Sequence, residues 1–300
     1  MEYYSLNKYL KDTYGRKLYK ISIDAGFTCP NRDGLIDTKG CIFCSGKGSG
    51  DFAEDRICSI TQQIQSGKQR IIGKMPKNIN ENEANFIAYF QAYTNTYASV
   101  EVLRDKYREA YENPNIAILS IATRPDCINE EVVSLLSEIN KIKPVWVELG
   151  LQTIHEKSAN YIRRGYDLSV YDEAVKLLCN EGIEVITHVI LGLPGETKED
   201  MLETVKYVGE SGAKGIKLQL LHVLKGTDLA GDYEEGKFKC LEMDEYIDII
   251  CSALKVLPED MVIHRMTGDG AKKDLIAPLW SMDKKRVLNF LNKAISEAKR

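Results

Sequence analysis

Three cysteines stand close together near the start of the chain, in the segment "CPNRDGLIDTKGCIFC", which runs from Cys29 to Cys44 and includes Cys41. Thiolates are soft ligands for zinc and for iron–sulfur clusters. A closed structural zinc site takes four protein ligands, and the sequence has no second Cys-x2-Cys pair to supply the fourth. An iron–sulfur cube held by three cysteines keeps one iron open. Cys29, Cys41 and Cys44 are therefore predicted to bind a [4Fe–4S] cluster.

An open iron on such a cluster indicates a second cofactor. S-adenosyl-L-methionine (SAM) can chelate that iron through its amino and carboxylate groups, and one electron from the reduced cluster then cleaves a carbon–sulfur bond to give a 5′-deoxyadenosyl radical. Two alternatives stay open: chance surface thiols, and a zinc- or cluster-bearing RNA-binding module without catalysis. The other cysteines stand alone in the sequence and are predicted to fill the core: Cys58, Cys127, Cys179, Cys240 and Cys251.

The composition is that of an ordinary globular protein. The chain has 300 residues, of which 44% are hydrophobic and 28% are charged. No apolar run approaches the ~18 residues that would span a membrane, and the N-terminal segment lacks the apolar core and cleavage site of a signal peptide. We therefore expect a cytoplasmic protein with no membrane partner, whose cysteines are thiols or metal ligands.

Positive charge is unevenly distributed along the chain. The formal net charge is −4, which by itself argues mildly against a nucleic-acid partner. Three segments nevertheless carry an excess of Lys and Arg, namely residues 1–20, 68–77 and 271–300. They could form a basic surface if they meet in space, or they could be solvated Lys-rich segments.

Apolar strand-like runs alternate with helical patterns over most of the chain. Strands are predicted at 17–24, 85–91, 115–123, 144–152, 183–191 and 215–224, and helices at 54–73, 99–112, 129–141, 169–180 and 198–211. This order predicts an α/β fold, a partial (βα)6 TIM-like barrel with a small C-terminal α/β extension. The expected division is a basic N-terminal extension over 1–16, the barrel over 17–235 and the extension over 236–300.

The predicted helices begin and end at recognisable capping residues. Asn129, Ser169 with Asp172, and Thr197 with Asp200 are the predicted N-terminal signals, and Gly182 and Gly212 follow the last turns. The polar segment 77–84 is predicted to be a loop.

Polar residues follow the predicted strands. The first strand leads into the cysteine loop, and the next ones end in "FQAYTNTY", "ATRPD", "ELGLQT", "HVILGLPGE" and "LLHVLKGT". Carboxyl ends of parallel strands meet at one edge of a sheet, where such folds bind their ligands. A polar pocket is predicted there.

These features together resemble the radical SAM superfamily, and within it the branch that contains the catalytic subunit of Elongator. The resemblance is carried by the cysteine segment and by "TRPD" (123–126), "ELGLQT" (148–153), "RRGYD" (163–167) and "GLPGE" (192–196). "FQAYTNTY", "HRMTGDG" and "LIAPLW" are closer still to the short bacterial YhcC/YtqA (MnmL)-like radical SAM proteins. A chain of this length is not expected to contain an acetyltransferase-like domain, so the Elongator reaction itself is not implied.

The resemblance implies roles for individual residues. Cys29, Cys41 and Cys44 would ligate the cluster, and Phe43 would lie against the adenine of SAM or simply pack under the loop. The amino group of SAM would be contacted by Thr94, by Asn95 or by backbone carbonyls of the same segment. "GLPGE" would supply backbone groups near the adenine, unless it is only a tight turn. Contacts to the ribose and carboxylate of SAM are expected from Arg124, Glu148, Gln152 and Arg164. For Arg164, a surface ion pair with Asp167 is an alternative.

The substrate side of the pocket is expected near the later strand ends. His188, His222 and Arg265 lie there in the sequence and are the candidate catalytic residues, although a histidine in a strand is more often a core residue. The resemblance implies transfer RNA as substrate, with conversion of carboxymethylaminomethyl-uridine toward aminomethyl-uridine at the wobble position. It also implies an electron donor such as flavodoxin or ferredoxin. A radical SAM enzyme acting on a small molecule, such as a porphyrin precursor, is the alternative.

The tyrosine-rich N-terminal segment admits two interpretations. Tyr3, Tyr4, Tyr9, Tyr14 and Tyr19 alternate with basic residues, a composition suited to stacking bases and binding phosphates. The same tyrosines could instead face the core.

Overall fold

Seven parallel β-strands form the centre of the protein in this computed structural model, which describes residues 3–51, 53–73, 75, 85–268, 270 and 272–297. The strands are β1 (Tyr19–Ile23), β2 (Phe86–Phe90), β3 (Ile116–Thr123), β4 (Val145–Gln152), β5 (Glu184–Leu191), β6 (Gly215–Leu220) and β8 (Val262–Arg265), hydrogen-bonded in that order. Strands β7 (Val223–Leu224) and β9 (Leu275–Ala277) form a separate antiparallel pair.

Helices cover the outside of this sheet, as right-handed strand–helix–strand units require. In chain order the helices are α1 (Leu6–Tyr14), which lies beneath the barrel, α2 (Ile60–Ile72), α3 (Val100–Tyr111), α4 (Glu130–Asn140), α5 (Glu156–Tyr161), α6 (Leu168–Asn180), α7 (Lys198–Glu210), α8 (Asp228–Glu234), α9 (Met243–Val256) and α10 (Lys284–Glu297). Short 3-10 turns occupy Pro125–Cys127 and Leu279–Met282. The result is the predicted α/β fold, an open TIM-like barrel with a C-terminal extension.

The structure differs from the sequence prediction at several elements. The predicted strand 215–224 ends at Leu220, and its last two residues pair with β9 instead. The sheet then continues through β8, which was not predicted and lies beyond residue 235. Helix α2 begins only at Ile60, because Ser59 forms a capping box with Gln62.

Two of the three predicted N-terminal caps are confirmed. Asn129 accepts a hydrogen bond from the backbone N–H of Val132, and Thr197 forms a capping box with Asp200. The cap predicted at Ser169 is wrong, since α6 already begins at Leu168 and Asp167 occupies the N-cap position. The predicted loop 77–84 lies outside the described residues.

Successive side chains along each strand point to opposite faces of the sheet, so the core has an outer part beneath the helices and an inner part within the barrel. Ile21, Ile23, Val147 and Leu149 face the helices. The alternate positions face the barrel interior, where its lower, amino-terminal end is closed by an apolar layer. This layer contains Leu18, Ile87, Ile118, Trp146, Ile186 and Val262.

Helix α1 packs beneath this layer and closes the barrel from below. Its Tyr9 is buried, with its ring centroid 6.1 Å from that of Trp146, and its hydroxyl donates to Glu184. Tyr4 and Tyr14 pack beside it, and Tyr3 and Tyr19 pack against the helix-facing core. The N-terminal tyrosines therefore face the core, and the base-stacking interpretation of this segment is not supported by their positions.

In the part of the chain that the structure describes, none of the helices has both the length and the apolar character needed to cross a membrane.

Trp146 is the largest side chain of the apolar layer and is fully buried. We predict that Trp146→Ala lowers the free energy of unfolding by about 3–5 kcal/mol, because it removes a large buried aromatic group and leaves a cavity. Urea denaturation followed by circular dichroism measures this. Phe290→Ala, at an aromatic residue that is 43% exposed, is the control and should cost less than about 1.5 kcal/mol. Equal losses in the two variants would contradict this role of Trp146.

Candidate functional site

The cysteine loop leaves the carboxyl end of β1 and is fastened by two polar side chains. Asn31 is buried, and its amide nitrogen donates to the carbonyl oxygen of Arg163 at 2.7 Å and to Cys41 Sγ at 3.5 Å. Arg32 donates to the carbonyl oxygens of Cys44 at 2.9 Å and Ser45 at 2.8 Å. Backbone hydrogen bonds within the loop, such as those from Ile36 N–H to the Pro30 carbonyl oxygen and from Gly40 N–H to the Asn31 carbonyl oxygen, add to these contacts and hold the loop as a defined cup.

The three predicted ligands, Cys29, Cys41 and Cys44, line one cavity of about 150 Å³ at the carboxyl ends of the strands. All three are free thiols and partly buried. The remaining five cysteines are also in the described part of the chain, and they are not among the residues that line this cavity. Three soft donors around one cavity fit an iron–sulfur cluster with an open iron.

Positive charge surrounds the thiols. Burial raises the pKa of Cys41 to about 11, and the neighbouring Arg124 acts in the opposite direction. Burial also raises the pKa of Cys44, against the influence of Arg32. Metal ligation requires thiolates, so the two guanidinium groups favour the form of the cysteines that binds metal.

Most of the residues predicted to contact SAM line the same cavity. Phe43, Thr94, Arg124, Glu148, Gln152 and Arg164 all do so. Asn95 does not line it: its amide nitrogen donates to the carbonyl oxygens of Phe90 at 3.1 Å and Ala122 at 2.9 Å. Asn95 therefore joins the ends of β2 and β3, and Thr94 is the residue of this pair that faces the cavity.

The two arginines are held by the protein itself. Arg164 is 3% exposed and donates to the carbonyl oxygens of Leu151, Thr153 and Tyr166. The alternative of a surface ion pair with Asp167 is therefore wrong. Arg124 forms a bidentate pair with Asp126, at 2.9 and 2.7 Å, and both arginines lie over the Tyr166 ring. Tyr166 was not predicted, although it lies inside the "RRGYD" motif.

"GLPGE" forms the turn between β5 and α7, and none of its residues lines the cavity. Gly192 has φ +89°, a backbone conformation that favours glycine. Glu196 accepts a hydrogen bond from Thr153 at 2.6 Å. The structure thus matches the tight-turn interpretation of this motif more closely than the proposed contact with adenine.

A layer of polar side chains lies inside the barrel, directly above the apolar layer. Its centre is Glu148, whose side chain is fully buried. The carboxylate accepts from Lys20 at 2.9 Å, Ser120 at 2.7 Å and His188 at 2.7 Å, and from Lys217. The Lys217 ammonium also donates to the Tyr89 hydroxyl oxygen, at 3.3 Å. Because of the cations around it, the pKa of Glu148 is held well below its usual range despite burial.

Sequence analysis missed Lys20, Tyr89 and Lys217. The signal available was a charged or polar residue at an interior-facing position of an otherwise apolar strand, as in "YKISI" and "GIKLQL". Residues at the strand ends do not reveal this layer, because Lys20, Tyr89 and Lys217 lie within their strands.

His188 is neutral at pH 7. Burial and the neighbouring Lys217 lower its pKa to about 4, while Glu148 acts in the opposite direction. Its Nε2–H donates to Glu148, and its Nδ1 accepts from the Gln219 side-chain amide at 3.2 Å. Both ring nitrogens therefore have partners, and the hydrogen bonds define one tautomer.

A second cavity of about 190 Å³ adjoins the first. The two cavities share seven lining residues: Phe43, Cys44, Ser49, Tyr89, Gln91, Gln152 and His188. His222 and Arg265, the two other candidate catalytic residues, line this second cavity together with Lys217. Gly268 packs on the His222 ring so closely that a Cβ would lie 2.6 Å from it.

The sequence of this chain matches known families over most of its length. Residues 29–208 match the family described as the Radical SAM superfamily, and residues 213–297 match the Radical_SAM C-terminal domain. YtqA of Bacillus subtilis is 44% identical over 293 residues, which cover 98% of this chain and 89% of YtqA. YhcC of Escherichia coli K12 is 38% identical over 268 residues, which cover 89% of this chain and 84% of YhcC.

More distant similarities are partial. The tRNA uridine(34) acetyltransferase of Methanocaldococcus jannaschii is 28% identical over 167 residues, or 55% of this chain and 30% of that protein. The solved structure of archaeal Methanocaldococcus infernus Elp3, with an N-terminal deletion, superposes with a TM-score of 0.67 at 17% identity. That superposition covers 92% of this chain, which spans 63% of the Elp3 chain. At this identity the likeness concerns the fold alone.

The radical SAM match covers more than half of the chain, and it coincides with the cup of three cysteines at the carboxyl ends of the parallel strands. The chain belongs to the radical SAM superfamily and is an enzyme that uses a [4Fe–4S] cluster and SAM.

Proposed function

We propose that this radical SAM enzyme modifies the C5 side chain of the wobble uridine in transfer RNA, in a step of the carboxymethylaminomethyl- to aminomethyl-uridine type. The observation that carries the proposal is the match, over about half of this chain, to a protein named as a tRNA uridine(34) acetyltransferase. The strong similarity to YtqA adds support for placing the chain among the short radical SAM proteins.

In this proposal Cys29, Cys41 and Cys44 hold the cluster, while Thr94, Gln152 and Phe43 line the space for SAM. When bound, the cluster supplies the electron that cleaves SAM to a 5′-deoxyadenosyl radical. A reductant such as flavodoxin or ferredoxin would deliver that electron. Arg124 and Arg164, fixed by their backbone and carboxylate contacts, keep the wall of the cavity rigid and positively charged.

The protein surface offers basic residues for an RNA backbone. Lys272, Lys273, Lys284, Lys285 and Arg286 are all exposed. Lys284 lines one open groove together with Lys17 and Arg265, so the N-terminal and C-terminal basic segments approach each other beside β8. Lys68 is 3.0 Å from Asn115 Oδ1 and Arg70 pairs with Glu54, so these two cations are engaged within the protein.

A splayed nucleotide would place its base deepest in the site and leave its phosphates at the mouth. The barrel interior suits the base of such a nucleotide, because polar side chains, among them Tyr89, His188 and Lys217, line the cavities there.

The ligand assignment is tested by single substitutions. We predict that Cys29→Ala, Cys41→Ala and Cys44→Ala each prevent assembly of the cluster, because three thiolates are the minimum set that holds it. Cys179→Ala and Cys251→Ala should keep about four irons per chain after anaerobic reconstitution. Iron content and the brown chromophore are measured. Loss of iron in either of these controls would show that the assigned trio is wrong.

The basic surface is tested by salt dependence. Neutralising Lys272, Lys273, Lys284, Lys285 and Arg286 together should weaken transfer RNA binding and reduce the salt slope by roughly one unit for each phosphate that the protein no longer neutralises. Cleavage of SAM without RNA should stay close to that of the wild type. A matched control neutralises five exposed cations on the outer helices: Arg104, Arg108, Lys141, Lys176 and Lys206. Equal salt slopes for the two variants would argue against this surface.

The substrate itself is tested in cells. Transfer RNA from a strain that lacks the protein should show a changed C5 substituent at wobble uridines, with accumulation of the unprocessed side chain. Nucleoside mass spectrometry measures this, and re-expression of the wild type, but not of Cys41→Ala, should restore the parent profile. A profile identical to that of the parent strain would reject transfer RNA and favour a small-molecule substrate.

A further inference from the structure

The polar layer in the barrel interior contains more ammonium groups than carboxylates. Lys20 and Lys217 both pair with the single carboxylate of Glu148, and the Lys217 side chain is only 3% exposed. Both ammonium groups also lie over the Tyr89 ring, at 4.7 and 4.6 Å from its centroid. A buried cation that shares its counter-ion is costly, so such an arrangement suits a site where a second anion binds.

Arg265 brings a third positive group to the same place. It is the register partner of Lys217 on the neighbouring strand, and both line the second cavity. Asp51 is the one carboxylate among the described residues that line this cavity. His188 and Gln219 also line it and are both already hydrogen-bonded to each other. Lys217, which shares its counter-ion with Lys20, therefore offers a positive group to an anionic ligand in this cavity, and Arg265 lines the same wall.

Burial, together with Lys20 and Arg265, lowers the pKa of Lys217, whereas Glu148 acts in the opposite direction. A carboxylate arriving in the second cavity would act in the same direction as Glu148 and stabilise the charged ammonium.

We propose that the second cavity is a subsite for a carboxylate carried by the substrate, with Lys217 and Arg265 as its recognition residues. This inference rests on the proposed function, because it takes the modified base as the part of the substrate that enters the barrel. The subsite shares a wall with the cavity assigned to SAM, so the carboxylate-bearing side chain would lie next to the site of radical formation.

A carboxylate fits this place better than a backbone phosphate does. The cavity has a volume of only about 190 Å³, and Tyr89, His188 and Lys217 of the polar layer form part of its lining. In a flipped nucleotide the base and its substituent reach furthest inward, while the phosphates stay outside. Lys217 and Arg265 then distinguish a side chain that ends in a carboxylate from a neutral one of the same shape.

The test compares two uridine nucleosides that differ at one group. One has a C5 side chain ending in a carboxylate, and the other ends in the corresponding primary amide. Their affinities are measured by calorimetry with the cluster-loaded, SAM-bound enzyme under anaerobic conditions. The wild type should prefer the acid by about 10- to 100-fold, the range expected for a hydrogen-bonded charge pair.

Lys217→Met and Arg265→Gln should each reduce this preference to about threefold or less, while SAM affinity is retained. Two variants are used because Lys217 is buried and its replacement could impair folding. Lys214→Met is the matched control: it lies just before the same strand and its ammonium pairs with Asp260 at 3.0 Å, outside the cavity. It should keep the wild-type preference. Equal affinity for acid and amide in the wild type, or no binding of either at about 1 mM, would overturn the subsite.

A second experiment separates the carboxylate subsite from the proposed transfer RNA substrate. The uridines with the acid and the amide side chain are each placed in an anticodon stem–loop RNA, and the binding of the two RNAs is compared. Tighter binding of both RNAs than of the free nucleosides, with the acid still preferred, supports the subsite and the RNA substrate together. RNAs that bind no better than the nucleosides would count against the proposed function, while the preference measured on nucleosides would continue to support the subsite. A preference for the acid that persists in both Lys217→Met and Arg265→Gln would reject these residues as its source.

Discussion

One buried carboxylate on β4 joins that strand to four others across the interior of the barrel. Glu148 on β4 accepts hydrogen bonds from Lys20 on β1, Ser120 on β3, His188 on β5 and Lys217 on β6. The sheet is open between β1 and β8, so its two edges are not joined by a hydrogen-bonded ladder. Contacts across the interior take the place of that closure. Removing one partner of a buried charge pair typically costs about 3–5 kcal/mol, which shows how strongly such a group constrains its surroundings.

The Glu148 carboxylate also marks the boundary between the packed lower part of the barrel and the upper part that contains the cavities. Below it, Trp146 and the neighbouring apolar side chains form a dry layer that α1 closes. Above it, the strands end and the two cavities begin. Chemistry at the carboxyl ends thus rests on a floor of closely packed apolar side chains, above which the Glu148 carboxylate is held by four hydrogen-bond donors. A reactive radical needs such a site, since contact with solvent would allow side reactions.

The cysteine loop depends on groups other than its three cysteines. Asn31 and Arg32 fasten the loop, and Arg124 places positive charge near Cys41. Partners of this kind orient metal ligands and set the electrostatic environment of the metal. They come from the loop itself and from the end of β3, so the geometry of the cup depends on the correct assembly of the sheet. The adjoining cavity, which Lys217 and Arg265 line, has cationic side chains in its wall as well.

The sequence by itself determined the sheet strands β1 to β6, the open barrel, the trio of cysteines and the family. These features depend on local patterns: period-two apolar runs, capping residues such as Asn129 and Thr197, and cysteine spacing. Only the tertiary structure decided that Asn95 joins two strands, that Arg164 bonds to backbone carbonyls, and that the N-terminal tyrosines face the core. It also decided the polar layer, in which Lys20 and Lys217 reach Glu148 across 128 and 69 positions of sequence. A pattern along one strand reports which face a side chain occupies, but its partner on another strand depends on register and barrel curvature, which arise only when the strands assemble.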